Sequence, residues 1–386
     1  MRRIYLDHNA STPVHPKVLE AMLPYFSESF GNASSIHAFG REAKHALEAS
    51  RETIAAFLGV SPEEIVFTSG GTESDNVAIK GVASAGPRPG HIITTQIEHH
   101  AVLRTCEALE REGWVVTYLN VDEYGLLDPD DVRRSIRPDT ALISVMHANS
   151  EVGTIEPIEE IARVAQEAGI PFHVDGVQSF GKIPYRPREI GLSLLAFSSH
   201  KIYGPKGVGA LWIRRGTRMV GIQHGGDHER RRRAGTENVA GIVGFAKAVE
   251  IRQREMMDEA GRLRSLRDRL WEGIRGRIEE VRLNGHPTRR LPSTLNVSFK
   301  GIESESLILG LDLKGIGISA GSACSSGNLE PSYVLTAMGL PADLGMAAAR
   351  FSLGRGTREE EIDYVLEVLP GVVERLRALS PVASRG

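Results

Sequence analysis

Seven short apolar runs alternate with helix-like stretches between residues 50 and 215, and that alternation confines the chain to few architectures. The runs are Glu64–Thr68, His91–Thr94, Trp114–Leu119, Ala141–Met146, Pro171–Val174, Leu194–Phe197 and Val208–Ile213. Helical patterns separate several of them, at Ser74–Val82, His100–Glu112 and Ile158–Ala168. Strands alternating with helices predict an α/β fold whose mainly parallel sheet is covered on both faces. Ligands of such sheets bind beyond the carboxyl ends of the strands, and the polar clusters of this chain sit there. A long helical segment, Val239–Glu280, then leads to a strand signal at Ser293–Phe299, a Gly/Ser/Ala-rich loop and an amphipathic helix at Glu359–Ala378. The expected organisation is a large α/β domain over 14–255 and a smaller α+β domain over 1–13 and 256–386.

The bulk properties narrow the partners. A net charge of −3 over 386 residues leaves no basic field, so neither nucleic acid nor an anionic membrane is expected. The run Arg230–Arg233 reads as a solvated face, and a nucleic-acid role for it is set aside on the acidic balance. No apolar run reaches the length of a membrane span, and the start Met1-Arg2-Arg3-Ile4 lacks a signal-peptide core. Two cysteines, Cys106 and Cys324, make no disulfide framework, so a cytoplasmic location is expected.

Lys201 follows one strand end, in Ser198-Ser-His-Lys-Ile-Tyr-Gly204. Most loop lysines are simply solvated. An amine at the end of a buried strand is instead a candidate Schiff-base holder of a carbonyl cofactor such as pyridoxal 5'-phosphate (PLP). Ser69-Gly-Gly-Thr-Glu-Ser74 opens a helix after the strand ending at Thr68, and its backbone can receive a phosphate while Thr72 caps the helix. Ser198 and His200 can donate to the same phosphate. Asp175 is either a helix cap or the buried carboxylate that keeps a pyridine nitrogen protonated. Gln178 is then placed for the ring's phenolic oxygen, and His99 offers an imidazole to stack on the ring. Cys324 lies among small residues in Ser319-Ala-Gly-Ser-Ala-Cys-Ser-Ser-Gly327, where a thiol is available for chemistry rather than packing. Cys106, within a helical pattern, is taken as structural.

These strings carry a resemblance. With Tyr5–Pro13, Phe30-Gly-Asn32, Phe67–Asn76, His173-Val-Asp175, Ser199–Gly207, Arg233-Ala-Gly-Thr-Glu-Asn238 and Arg350–Gly354, the chain resembles the NifS/IscS-type cysteine desulfurases nearly end to end. These are PLP enzymes of the class V aminotransferase group, with the aspartate aminotransferase-like PLP-transferase fold. The resemblance implies that Lys201 carries the cofactor, Asp175 partners its ring nitrogen and His99 stacks on the ring and moves protons. It implies that Gly71, Thr72, Ser198 and His200 hold the phosphate, with Gln178 at the ring oxygen. Thr236 would reach the phosphate from the other subunit of a homodimer, and Arg350 would clamp the substrate carboxylate near Asn32. Cys324 would take sulfur from L-cysteine as a persulfide, leaving L-alanine. The sulfur would pass to an acceptor or iron–sulfur scaffold protein, with no resident metal beyond a transient contact between Cys324 and an acceptor's cluster.

The chain departs from the pattern at Ser150, where relatives usually carry the second Asn of an Asn-Asn pair that touches the ring oxygen. A water or Gln178 would then carry that contact. It also stops soon after Pro381, short of the tail some relatives use to dock a scaffold, which leaves the acceptor open. The rival readings are selenocysteine lyase or another class V chemistry, and a sulfur carrier with vestigial catalysis. A mobile thiol at Cys324 separates the desulfurase from the transaminating rivals.

Overall fold

The computed structural model describes residues 3–86, 89–320 and 331–379. Twelve strands form three sheets among these residues. They are β1 (Ile4–Tyr5), β2 (Ile65–Thr68), β3 (His91–Thr95), β4 (Val115–Leu119), β5 (Thr140–Met146), β6 (Phe172–Asp175), β7 (Leu194–Ser198), β8 (Gly209–Ile213), β9 (Val281–Asn284), β10 (Thr294–Phe299), β11 (Ile316–Gly317) and β12 (Ala348–Ser352).

All seven apolar runs become strands of the largest sheet, in the order β2-β8-β7-β6-β5-β3-β4. Every pair is parallel except those made by β8, which runs antiparallel to both β2 and β7. The inner strands are buried along nearly their whole length because both faces are covered. The helices Gly71–Ala85 and His100–Glu110 cover one face through Val77, Ile79, Val102 and Cys106. The other face packs against Ala38–Leu58, Ile158–Ala168 and the start of the long helix Val239–Arg275, around Ile54, Ile161, Phe197 and Phe245. The chain is therefore α/β, as expected.

The long helix bridges two cores. Ile242, Phe245 and Val249 belong to the large sheet's core, whereas Leu263, Leu266, Leu270 and Ile274 pack against β10, β12 and the helix Glu359–Leu379. It ends at Arg275 rather than running to Glu280, because Gly276 caps it and the chain then turns into the edge strand β9. The sheet β12-β10-β9 is antiparallel, and β1 pairs in parallel with β11. The N-terminal segment thus folds back against the C-terminal part of the chain. No helix among the described residues is long and apolar enough to cross a membrane.

The arginine run does not behave as one solvated face. Arg230 and Arg231 are exposed, while Arg233 turns inward to pair with Glu73 at 2.8 Å. The residue before the run, Glu229, is buried and receives Arg51 through both oxygens at 2.7 and 2.8 Å, together with the Phe67 N–H at 2.8 Å. Glu229, Arg230 and Arg231 have φ of 45°, 56° and 65°, left-handed values that non-glycine residues hold only where surrounding contacts impose them. The Arg51–Glu229 pair supplies those contacts. Because Arg51 is 2 % exposed, Glu229→Ala removes its only fully buried acid and leaves it the more exposed Glu48 at 3.1 Å, and we expect a loss of about 3–5 kcal/mol in urea denaturation. A loss below about 1 kcal/mol, the scale of a surface pair, would show that the strained turn does not depend on it.

Candidate active site

The carboxyl ends of the large sheet's strands converge on one pocket of about 260 Å³. β6 ends in Asp175, and β7 ends in Ser198 and runs straight into the single turn Ser199–Lys201. β2 delivers Gly70 and Gly71 at the start of a helix, and β3 leads to His99, which caps the next one. Gly71, Thr72, His99, Ser150, Asp175, Gln178, Ser198, His200, Lys201 and Arg350 all line this pocket. Ten residues scattered over 280 positions of sequence become neighbours because parallel strands end on one side and β12 of the small sheet brings Arg350 up to them.

Lys201 donates from its amine to the main-chain oxygens of Asn9 and, at 2.9 Å, Ala10. Asp175 accepts the Val177 N–H at 2.8 Å. Burial pushes the Asp175 carboxyl up, and the His99 and Lys201 charges oppose that shift. His99 accepts the Ala101 N–H on Nδ1 at 3.1 Å, which leaves the ring proton of the neutral form on Nε2. Burial lowers the His99 pKa while Asp175 raises it. His200 is held neutral, pushed down to about 4 by burial and then by Lys201.

The anion-binding corner differs in one detail from the sequence expectation. The helix starts at Gly71 with Gly70 as its cap, so Thr72 lies inside the first turn and does not cap it. Gly70 has φ of 154°, a conformation that side-chain-bearing residues rarely adopt, and this lets the main chain expose the helix N–H groups to the pocket. The Ser198 hydroxyl is buried beside Gly70 with no protein partner. A helix terminus, an unpartnered buried hydroxyl, a lysine amine and a desolvated carboxylate in one pocket are the donor set that PLP requires. The residues present fit that cofactor.

Gln178 donates to the Asn9 carbonyl at 3.0 Å and accepts from Lys182 at 2.8 Å, so one amide N–H remains to face a ring oxygen. Ser150 contributes its carbonyl, which accepts from Asn9 Nδ2 at 3.1 Å and from Arg350 at 3.0 Å. Any residue supplies that oxygen, which explains why a serine is tolerated there. The neighbouring Asn149 instead braces the loop, accepting the Glu151 and Val152 N–H groups. Arg350 holds Asp7 at 2.7 Å with its other nitrogen, so a carboxylate entering here meets a guanidinium already tied to one acid.

Asn32 and Thr236 are exposed and do not line the pocket, and Cys324 lies outside the described residues. Sequence reading missed Asn9, Lys182, Glu151 and Tyr333. Asn9 lies inside a string already singled out, Tyr5–Pro13, but nothing local marks a loop asparagine as the partner of Lys201.

The class V aminotransferase model matches residues 4–365, and the chain belongs to that family. Among curated relatives, cysteine desulfurase IscS of Dictyoglomus turgidum is 52 % identical over 381 residues, covering 98 % of this chain and 97 % of that protein. Cysteine desulfurase IscS of Methanosarcina thermophila is 52 % identical over 385 residues, covering 100 % and 95 %. Among solved structures, a NifS-like protein superposes with a TM-score of 0.92 at 39 % identity, covering 97 % of this chain and all of that one. SspA in complex with cysteine gives 0.81 at 39 % identity, covering 91 % and 98 %.

Cys106 sits fully buried on the helix His100–Glu110, and burial pushes its thiol up to about 12. An inaccessible, protonated thiol does not react with alkylating agents. Iodoacetamide at neutral pH should therefore leave the Cys106 peptide unmodified in the native protein and label it after denaturation, as read by peptide mass spectrometry. Labelling of Cys106 in the native state would contradict its assignment as a packing residue.

Proposed function

We propose that this protein is a PLP-dependent cysteine desulfurase that converts L-cysteine to L-alanine and leaves the sulfur as a persulfide on Cys324. The observation that carries this reading is the convergence of Lys201, Asp175 and His99 with a helix N-terminus in one pocket. Full-length similarity to cysteine desulfurases directs it to this chemistry rather than to another of the class V group. Bound PLP supplies an electron sink for bonds broken at the substrate.

The chain's own residues do the rest. Lys201 holds the cofactor's carbonyl group, and Gly71, Thr72, Ser198 and His200 receive its phosphate. Asp175 would keep the ring nitrogen protonated, and His99, with its proton on Nε2, would lie against the ring and move protons. Arg350 orients the substrate carboxylate. The Cys324 thiolate attacks the substrate sulfur, so a sulfur–sulfur bond forms as the carbon–sulfur bond breaks. The electron pair stays with the substrate carbon, which takes a proton to give alanine, and no outside oxidant or reductant is needed.

Two domains, 14–255 and 1–13 with 256–386, would carry the PLP-binding residues and the Cys324 loop respectively, with Asn9 and Arg350 of the second completing the pocket. A cytoplasmic homodimer passing sulfur to an acceptor or iron–sulfur scaffold protein completes the reading. Leu19, Leu23, Phe26, Phe30, Ile36 and Phe39 support the dimer, since six large apolar side chains stand more than half exposed along one short segment. Asn32 lies within that segment. Like Thr236, which would reach the phosphate of the neighbouring subunit, it is exposed.

Lys201→Ala should lose the visible absorbance of the cofactor-bound protein and produce no alanine from L-cysteine. Full turnover by this variant would sink the proposal. Asp175→Asn keeps the shape and removes the charge, and we expect alanine formation to fall by at least about 10²-fold, the scale seen when one charge-stabilising group is removed. Wild-type rates would reduce Asp175 to the cap of the turn that follows β6.

A further inference from the structure

A second lysine stands behind Lys201. Lys182, in the turn after β6, donates to two neutral oxygens, Gln178 Oε1 at 2.8 Å and Asn9 Oδ1 at 3.4 Å. The Asn9 main-chain oxygen in turn accepts from both Gln178 Nε2 and Lys201 Nζ. Lys182 and Lys201 also border one small cavity of about 20 Å³, room for a single water-sized molecule, with His8, Arg252, Glu259 and Tyr203 around it. The two amines therefore share one frame, made of Asn9 and Gln178.

The surrounding charges are mostly positive. Arg252 and Glu259 face Lys182 from the long helix, Arg350 from β12, and Lys201 from the turn after β7. Glu259 is already engaged by Arg252 at 2.7 Å and by the Tyr203 hydroxyl at 3.0 Å. His8 and His200, both nearby, are pushed down to about 4, mainly by burial, so they add no charge at neutral pH. Asp175 and His99 act on Lys201 from the pocket side. Burial and then Lys201 push the Lys182 amine itself down to about 7.

We propose that Lys182 is a positioning residue for Lys201: it fixes Asn9, directly and through Gln178, where the Asn9 carbonyl receives Lys201, and its charge favours the neutral form of the Lys201 nitrogen. Two like charges in one frame disfavour being charged together, so protonating one amine weakens the hold of the other on its proton. The sign follows directly. Asp175 raises the affinity of the Lys201 nitrogen for its proton, Lys182 lowers it, and removing Lys182 leaves Asp175 unopposed.

This inference rests on the assignment of Lys201 as the cofactor lysine. The test titrates the visible absorbance of the PLP-loaded protein, which reports protonation of the nitrogen linking Lys201 to the cofactor. The midpoint of Lys182→Met should rise by about 1 unit or more, the scale of a removed neighbouring charge. Lys182→Arg, which keeps a permanent cation and its donors, should stay at or below the wild-type midpoint. If Lys182→Met fails to fold, Lys182→Gln gives the same reading, because it retains a donor and drops the charge. An unchanged midpoint in a folded neutral variant overturns the proposal. A wild-type protein without any cofactor band would instead overturn the assignment of Lys201, so the two failures are distinct.

Discussion

Asp175 ends β6 inside a pocket from which water is largely removed, and the rest of the site is arranged around that desolvated carboxylate. Two further acids, Asp75 and Glu98, are fully buried in the same region, and burial pushes both well up, with Asp175 adding to each. Three ionised carboxylates so close in a low dielectric are not sustainable. The structure resolves the conflict by leaving the charge to one of them. Glu98 accepts the Met146 N–H and the Thr95 hydroxyl, while Asp75 faces the His173 ring at 3.5 Å, itself kept neutral by burial, which favours the protonated acid. Asp175 alone faces Lys201 and His99, and it is the acid best placed to keep a negative charge.

That arrangement needs parallel strands ending together, and it needs the N-terminal segment. Asn9 receives Lys201 and Gln178 on its carbonyl, donates its side-chain amide to Ser150 and to Thr294 of β10, and donates its N–H to Ser352 of β12. One residue thus connects the large sheet's site to the small antiparallel sheet, where Arg350 sits one pair along from Thr294's neighbours. Lys201 and Gln178 are held in register with Arg350 through it, since Asn9 and Arg350 share the Ser150 carbonyl.

Much of this was legible in the sequence because strong periodicity and strand-end chemistry coincide. Leu194–Phe197 followed by Lys201, and Pro171–Val174 followed by Asp175, each announce both a buried strand and a reactive group at its end. The helix Ala38–Leu58 was not read, since its apolar stripe is built largely of alanine and is interrupted by Arg51, whose partner Glu229 lies far along the chain. β9 carries no strand signal of its own, because Val281–Asn284 is a short, half-buried edge strand after an Arg/Glu-rich stretch. Asn9 and Lys182 escaped for a different reason: their roles are contacts between distant segments, which no local pattern encodes.

The central claim is that sulfur leaves the substrate by transfer to Cys324 and not as free sulfide. Peptide mass spectrometry after brief exposure of the purified, PLP-loaded protein to L-cysteine tests it most directly. Added sulfur on the Cys324 peptide, with none on the Cys106 peptide, is the expected result. Alanine formed while neither cysteine carries sulfur, or sulfur found on Cys106, would contradict it.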